Sequence, residues 1–329
     1  MKITILGGAG FLGRKITARL VQHGGLGGHD VTGLISFDLN SPPSQPEAPF
    51  PYRSVTGDIA ELPEAAIPSD TDVIFFLAAV VSAQAEADYD LGMRVNLMGA
   101  LKVIEACRRL VATGRRPPRV VFTSSIATFS GGQDAKLLDD ARQVPANSYG
   151  AEKAAAELLL QDASRRGFLD AVLLRLPTII VRPGRPNRAA SSFLSTIIRE
   201  PLLGLPTELP VDRAFTAWVA SPRRTVDWLL HAASMDTEPM GIDRTVNLPG
   251  ISTTVARLLQ ALDEVKPGAS QLVQHRPDPE IAAIVNAWPA SFEALRARTL
   301  GFSSHEPAAE LVRAFVEDDL AETKAERGM

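Results

Sequence analysis

The chain has 329 residues, of which 45% are hydrophobic and 22% charged, and its net charge is −4. This composition is ordinary for a globular protein long enough for one large core and a smaller companion domain. The lysines and arginines form no run that resembles a nucleic-acid footprint, which argues against a polyanionic partner.

The start of the chain lacks the charged and apolar regions of a signal peptide, and nowhere do eighteen apolar residues follow one another. We therefore expect a soluble, cytoplasmic protein without membrane contacts. The single cysteine, Cys107, cannot form an internal disulfide, which agrees with a reducing compartment. It lies in an apolar-periodic segment, so a buried structural thiol is predicted.

The first element is a short apolar strand that leads directly into Gly7, Gly10 and Gly13, after which helical periodicity begins. Glycines permit a tight turn and a close backbone approach to a pyrophosphate, which then lies at the helix N-terminus. A glycine triplet alone also occurs in ordinary turns. Its position directly after a strand and at the start of a helix favours a nucleotide site.

The second predicted strand, Val31–Phe37, ends at Asp38. An acidic residue at this point can accept hydrogen bonds from the adenosine ribose and repels a 2′-phosphate, which favours NAD over NADP. The glycine-rich loop 24–30 lengthens the separation from the first glycines. The alternative is that Asp38 is an ordinary loop aspartate.

Further strands alternate with helices as far as residue 181. Their segments are Asp72–Ala79, Arg119–Ser125, Ala171–Pro177 and Val55–Ile59, the last of which, with Asp58, resembles the short third strand and adenine-contacting turn of nucleotide-binding folds. This alternation predicts an α/β fold with a Rossmann-type, doubly wound parallel sheet. Ligands of such sheets lie beyond the carboxyl ends of the strands, where Gly10, Asp38, Ala79, Ser125 and Pro177 are all expected.

Tyr149 and Lys153 form a Y-x-x-x-K pattern within the predicted helix Asn147–Arg165. Positions four apart share one helix face, and a lysine there favours the phenolate of a tyrosine whose ordinary pKa is about 10. Such pairs are also common on helix surfaces. The preceding strand, which ends in Thr123, Ser124 and Ser125, supplies the context that favours a catalytic pair.

The regular alternation of predicted strands and helices ends after Val181. We predict helices at 222–233, 253–265, 278–287 and 306–322, a strand Thr245–Pro249 that rejoins the main sheet, and a charged tail that frays after Glu317. The predicted domains are 1–181, with 216–250 returning to it, as the NAD-binding domain, and 182–215 with 251–329 as a smaller, discontinuous substrate domain.

These motifs occur in the order found in the extended short-chain dehydrogenase/reductases, the NAD-dependent epimerase/dehydratase family, which the chain resembles. The resemblance implies catalysis by Ser125, Tyr149 and Lys153, with Ser124 or Thr123 one register away as the alternatives to Ser125. It also implies NAD as cofactor. The implied NAD contacts are Gly7, Gly10, Phe11, Leu12, Gly13, Asp38, Asp58, Ile59, Leu77, Ala78, Ala79, Asn96, Tyr149, Lys153, Pro177, Thr178 and Ile179.

A narrower resemblance, carried by residues 79–96, 174–187, 190–193, 221–224 and 246–250, is to the D-erythronate dehydrogenase subfamily. It implies NAD-dependent oxidation of the C2 hydroxyl of a four-carbon sugar acid, with Tyr149 as the base. One departure is Phe129-Ser130, where the family has Tyr-Gly. The aromatic residue there can contact sugars in epimerases, so the missing hydroxyl slightly disfavours a nucleotide-sugar substrate.

A hydroxy acid needs a cation for its carboxylate, and a guanidinium pairs with a carboxylate in two-pronged fashion. The candidates are Arg182, Arg185, Arg188, Arg223 and Arg224. The expected substrate contacts are Ser82, Ser125, Tyr149, Arg182 and Asn187. The histidines lack metal-binding spacing, so no metal is expected, and His231 is interpreted as a packing or surface residue.

The sequence is also compatible with two other functions. A nucleotide-sugar 4-epimerase would retain and regenerate its NAD, and a non-catalytic NAD-binding protein would not need the Ser125–Tyr149–Lys153 set. The family resemblance also implies a homodimer formed by the helices at 96–110 and 149–165.

Overall fold

In the computed structural model, the described residues are 1–133, 135–184, 190–303 and 307–329. Their strands are β1 Lys2–Leu6, β2 Gly25–Leu26, β3 His29–Asp30, β4 Gly33–Asp38, β5 Tyr52–Thr56, β6 Val73–Phe76, β7 Arg119–Ser125, β8 Lys136–Leu137, β9 Asp170–Leu176, β10 Thr178–Ile179, β11 Thr207–Leu209, β12 Thr216–Ala220, β13 Thr245–Asn247, β14 Ile251–Thr254, β15 Val273–His275 and β16 Ser291–Phe292. Their α-helices are α1 Phe11–His23, α2 Ser82–Ala87, α3 Tyr89–Gly92, α4 Gly99–Ala112, α5 Ser148–Arg165, α6 Ser192–Leu202, α7 Pro222–Ser234, α8 Val255–Val265, α9 Pro279–Asn286, α10 Leu295–Thr299, α11 Ala308–Asp318 and α12 Leu320–Glu326.

A seven-stranded parallel sheet forms the centre of the molecule, in the order β13-β9-β7-β6-β1-β4-β5. Helices α4 and α5 cover one face through residues such as Val103 and Leu160. Helices α1 and α7 cover the other through Ile16 and Leu229. Because both faces are covered, the central strands are apolar without alternation. The predicted doubly wound α/β fold is confirmed.

A second apolar cluster lies beside this sheet and is built from α6, α8 and α11. Ile197, Leu258 and Phe315 are fully buried in it. A small sheet, β10-β12-β14, connects it to the end of β9. Strand β13 returns to the main sheet beside β9, as the sequence predicted. The segment 294–302 packs against the apolar cluster on the face of the main sheet that α1 and α7 cover.

Two local features of the N-terminal half differ from the sequence-based expectation. The loop 24–30 is a short hairpin of β2 and β3, so the second main strand begins only at Gly33. The helix expected to begin at Asn96 begins earlier, at Tyr89, and passes through a π-helical turn, Met93–Met98, before α4.

The tail after Glu317 does not fray; it forms α12. The Lys15 Nζ atom lies 2.6 Å from the carboxylate of Asp319, which is almost fully buried. The guanidinium of Arg327 lies 2.6 Å from Glu200. The charged residues of the tail thus have distant partners that a local sequence pattern does not reveal. None of the described helices is long and apolar enough to cross a membrane.

Candidate active site

A cavity of about 240 Å³ lies at the carboxyl ends of β6, β7 and β9, beside the start of α1. The described residues that line it are Phe11, Leu12, Leu77, Ala79, Val81, Ser82, Thr123, Ser124, Ser125, Ile126, Ala127, Tyr149, Lys153, Leu176, Pro177, Thr178, Ile179, Arg182, Ser191 and Trp288. The fold therefore brings the predicted catalytic residues together with much of the predicted cofactor and substrate set.

Tyr149 and Lys153 lie on the first turns of α5, whose start is capped by the Asn147 side chain accepting from the Gly150 N–H at 2.8 Å. The buried Lys153 Nζ donates to the Thr123 carbonyl at 2.9 Å and lies 5.7 Å from the centre of the Tyr149 ring. The helix cap and this bond to strand β7 fix the lysine beside the tyrosine.

The protonation of this pair is governed by burial. Burial raises the pKa of Tyr149 to about 12, although a hydrogen bond with Ser125 and the charge of Arg182 act in the opposite direction. Burial also lowers the pKa of Lys153 to about 7, against the opposing charges of Glu157 and Glu152. The polypeptide therefore favours an uncharged tyrosine at neutral pH, because the effect of burial on the pKa of Tyr149 outweighs the opposing effects.

The three hydroxyl residues at the end of β7 have different partners. Ser124 donates to Glu157, and Thr123 donates to the Phe76 carbonyl at 3.2 Å. Ser125 accepts from the Ala127 N–H at 3.1 Å and also bonds the Tyr149 side chain. These partners favour Ser125, rather than either neighbour, as the hydroxyl that faces the tyrosine.

Asn96 fixes the loop that follows β6. Its side chain accepts from the Val80 N–H at 2.9 Å, donates to the Val80 carbonyl at 3.1 Å and donates to Glu152 at 2.6 Å. Its amide is buried and engaged with protein groups, and it does not line the cavity. Its place near the cofactor stays a prediction, and its observed contacts are those of a positioning residue.

The turn between β1 and α1 has the shape that the glycine spacing predicted. Gly7 has φ +95°, and a Cβ atom there would lie 2.7 Å from the Ala78 nitrogen. A Cβ atom on Gly13 would overlap the Gly7 carbonyl and lie 2.7 Å from the Gly8 Cα atom. Gly10 precedes α1 and has no side chain that could cap the helix. The N–H groups in the first turn of α1 can therefore donate hydrogen bonds to a pyrophosphate.

Asp38 lies at the end of β4, where its carboxylate accepts from the Ala9 N–H at 3.0 Å and the Asn40 N–H at 3.1 Å. This places an acid directly beside the glycine turn, as a dinucleotide site requires. The chain's own residues therefore fit the adenosine and pyrophosphate parts of NAD.

The predicted adenine contacts, Asp58 and Ile59, do not line the cavity, and the glycines of the first turn, Asp38, Ala78 and Asn96 do not line it either. The Asp58 carboxylate pairs with Arg94 and accepts from the Ala60 N–H at 2.9 Å, and these contacts lower its pKa despite an opposing effect of burial. Ile59 is buried and contacts the position of Gly99. Their predicted contact with the adenine stays a prediction.

Among the arginine candidates in the described residues, Arg182 is the one that lines the cavity. It donates to the Ser191 hydroxyl at 3.0 Å, and burial lowers its pKa to about 10. Arg223 pairs with Glu317 and Asp318, and Arg224 donates to Ser303 at 2.9 Å, away from the cavity. Arg185, Arg188 and Asn187 lie outside the described residues.

The structure also shows the positions of two aromatic side chains discussed from the sequence and of one that was not. Phe129 is buried, 5.7 Å from the Phe292 ring centre, and does not line the cavity. His231 packs edge-on against Phe302, as expected of a packing histidine.

Trp288 lines the cavity but was not predicted from the sequence. It follows α9, far from the motifs, and an isolated tryptophan offers no signal in the sequence.

The comparisons with known proteins agree with this geometry. The model of the NAD dependent epimerase/dehydratase family matches residues 3–216. The chain belongs to this family. It is 45% identical to the D-erythronate dehydrogenase of Cupriavidus necator and 37% identical to that of Haemophilus influenzae, with 97% of the chain covered in each case and 98% and 100% of the relatives.

The crystal structure of the nucleoside-diphosphate-sugar epimerase from Agrobacterium tumefaciens is also similar, with a TM-score of 0.93 and 41% identity. The alignment covers 98% of this chain and 95% of that one. Family membership confirms two predictions, the fold and NAD as the cofactor.

Proposed function

We propose that the protein oxidises the C2 hydroxyl of D-erythronate to 2-dehydro-D-erythronate with NAD. The observation that carries this proposal is the Arg182 guanidinium in the same cavity as Ser125 and Tyr149. In a 2-hydroxy acid the carboxylate is bonded directly to the reacting carbon, so a cation is needed beside the base. The names of the two relatives that match over nearly their full length support the same substrate.

Three side chains perform the proton chemistry in this proposal. Tyr149 must be a phenolate for this step, a form that the Ser125 hydrogen bond and the Arg182 charge favour against the effect of burial. It then accepts the proton of the C2 hydroxyl, while the Ser125 hydroxyl donates to the same oxygen and fixes its position. Lys153 is held by the Thr123 carbonyl, and its remaining N–H groups would serve the tyrosine and the ribose of bound NAD. The low pKa of Lys153 makes its charge sensitive to what binds beside it.

Residues in and beside the cavity would hold the dinucleotide. The N–H groups at the start of α1 face the pyrophosphate, and Asp38 accepts from the adenosine ribose. Leu12, Ala79 and Ile179 provide apolar walls for the nicotinamide. When bound, NAD would supply the acceptor for the hydride, with its electron pair, that leaves C2.

The substrate is oriented by its carboxylate. Arg182 presents a planar set of donors that matches a carboxylate in two-pronged fashion, and its bond to Ser191 holds it in place. Ser82 lines the cavity and can bond a further hydroxyl of the sugar acid. Asn187 remains a candidate for the same task.

A nucleotide-sugar 4-epimerase is the second candidate, because the similar Agrobacterium structure carries that name. The site offers less support for it, since Phe129 has no hydroxyl and is packed in the core. Incubation with NAD and D-erythronate should produce a steady rise in NADH absorbance. Interconversion of UDP-glucose and UDP-galactose without net NADH would overturn the proposal in favour of the epimerase.

The proposed enzyme acts as a homodimer. Helices α4 and α5 are neighbours, and they expose Leu101 on α4 and Leu158 and Leu159 on α5. Exposed leucines on adjacent helices are suited to pairing with the same surface of a second copy. Sedimentation should give a dimer that Leu158→Asp converts to monomer, and a monomeric wild type would contradict this arrangement.

A further inference from the structure

A second cavity, of about 270 Å³, adjoins the cavity of Tyr149. Of the described residues, Ser82 and Trp288 line both cavities, so together they form the wall between them. Tyr149 and Arg182 face only the first cavity, and Ile284 faces only the second. The boundary between the two spaces is therefore formed by one tryptophan and one serine.

Trp288 is held in place by backbone contacts on both sides. The backbone N–H of Trp288 donates to the Val285 carbonyl at 3.1 Å, and the backbone carbonyl of Trp288 accepts from the Gln133 side chain at 3.3 Å. The preceding carbonyl, of Ala287, accepts from the Gly132 N–H at 3.1 Å. The ring also packs against the second apolar cluster. Trp288 is thus a fixed part of the site rather than a residue of a free loop.

We propose that Trp288 sets the length of the sugar acid that the enzyme accepts. This inference rests on the proposed function, because Arg182 and Tyr149 must fix C1 and C2 at one end of the cavity. The remaining carbons then extend towards the other walls, where the indole blocks the passage into the second cavity. A four-carbon acid ends before this wall, whereas a five- or six-carbon acid meets it.

The second cavity has the chemistry to receive additional hydroxymethylene groups. Its polar lining includes Ser82, Glu86 and Asn147, and its apolar lining consists largely of alanines that leave space. Joining the two cavities would about double the space in front of Tyr149. Removal of the indole should therefore extend the substrate range rather than only weaken binding.

The test compares Trp288→Ala with the wild type on four-, five- and six-carbon aldonic acids with NAD. We expect the ratio of kcat/KM for five-carbon over four-carbon acids to rise by about tenfold or more, as expected when a hydrophobic wall is removed. Ile284→Ala is the matched control, since it enlarges only the second cavity and should leave the ratio unchanged. An unchanged ratio in Trp288→Ala, or an equal rise in Ile284→Ala, would overturn the inference.

Two further results keep this test decisive. If Trp288→Ala does not fold, Trp288→Leu, which retains an apolar side chain, should still raise the ratio, and no rise would count against the inference. If the wild type oxidises no aldonic acid, the proposed function itself fails. If the wild type oxidises D-erythronate and the variants keep its selectivity, only the role of Trp288 fails.

Discussion

The side-chain amide of Asn96 donates a 2.6 Å hydrogen bond to Glu152, the residue directly before Lys153. Because the same side chain bonds both backbone groups of Val80, it joins the loop after β6 to the helix that carries the tyrosine and lysine. Two walls of the cavity are therefore fixed relative to each other by one buried residue.

Asn96→Ala should destabilise the protein and lower kcat together. It would leave the Val80 backbone groups and the Glu152 carboxylate without this partner, at a cost of about 1–3 kcal/mol in the free energy of unfolding. Chemical denaturation and steady-state kinetics measure the two effects. Asn40→Ala, at an exposed asparagine, is the control and should change neither. If Asn96→Ala had the same free energy of unfolding as the wild type, these hydrogen bonds would contribute little to stability.

Ser125→Ala and Ser124→Ala should have different consequences. Ser125→Ala removes the donor beside Tyr149, so kcat should fall by roughly 10²-fold with little change in stability. Ser124→Ala removes a bond to the buried Glu157, which keeps its 2.7 Å pair with Arg175, so stability should fall by about 1 kcal/mol with a smaller loss of kcat. The reverse pattern would assign the catalytic hydroxyl to Ser124.

Arg182→Lys should mainly raise KM for the sugar acid. A lysine retains the charge but loses the two-pronged geometry, so we expect kcat/KM to fall by roughly 10-fold to 10²-fold while NAD affinity stays unchanged. Arg223→Lys, at a surface ion pair away from the cavity, is the matched control. An equal loss in both variants, or none in Arg182→Lys, would remove Arg182 from substrate binding.

Lys153→Met should change how stability depends on pH. The pKa of Lys153 in the folded protein is about 7, below its ordinary value of 10.5, so the unfolded chain binds more protons between these values. The wild type therefore gains stability as pH rises from about 7 to 10, and below pH 7 the penalty of the buried charge is fully present.

Lys153→Met lacks the buried amine and does not carry this penalty. The Tm of the variant minus the Tm of the wild type should therefore be largest near pH 6 and should shrink towards pH 10. Thermal unfolding at several pH values measures this difference. Lys102→Met, at an exposed lysine of α4, should show no such trend. A constant difference between Lys153→Met and the wild type across this range would mean that Lys153 titrates normally.

Much of the site could be predicted because it depends on chain order. Parallel strands bring their carboxyl ends to one edge, so Gly10, Ser125 and Pro177 could be placed together from the sequence. The glycine turn could be predicted as well, since the backbone at Gly7 has a positive φ and leaves no room for a Cβ atom.

The remaining features depend on contacts between distant segments. The tail was predicted to fray because its charges were read as solvated, yet Asp319 and Arg327 have partners at Lys15 and Glu200. Trp288 reaches the cavity only through the fold of the second cluster. The raised pKa of Tyr149 was also missed, because burial is not visible in a four-residue spacing.

The central claim is that Tyr149 accepts the substrate proton, and Tyr149→Phe tests it most directly because the ring is kept and only the hydroxyl is lost. NAD binding and NADH formation from D-erythronate are measured on the same preparation, with Tyr89→Phe, at an exposed tyrosine, as control. We predict that NAD affinity stays within a few-fold of the wild type while NADH formation falls by at least about 10²-fold. NADH formation near the wild-type rate in Tyr149→Phe would contradict the account.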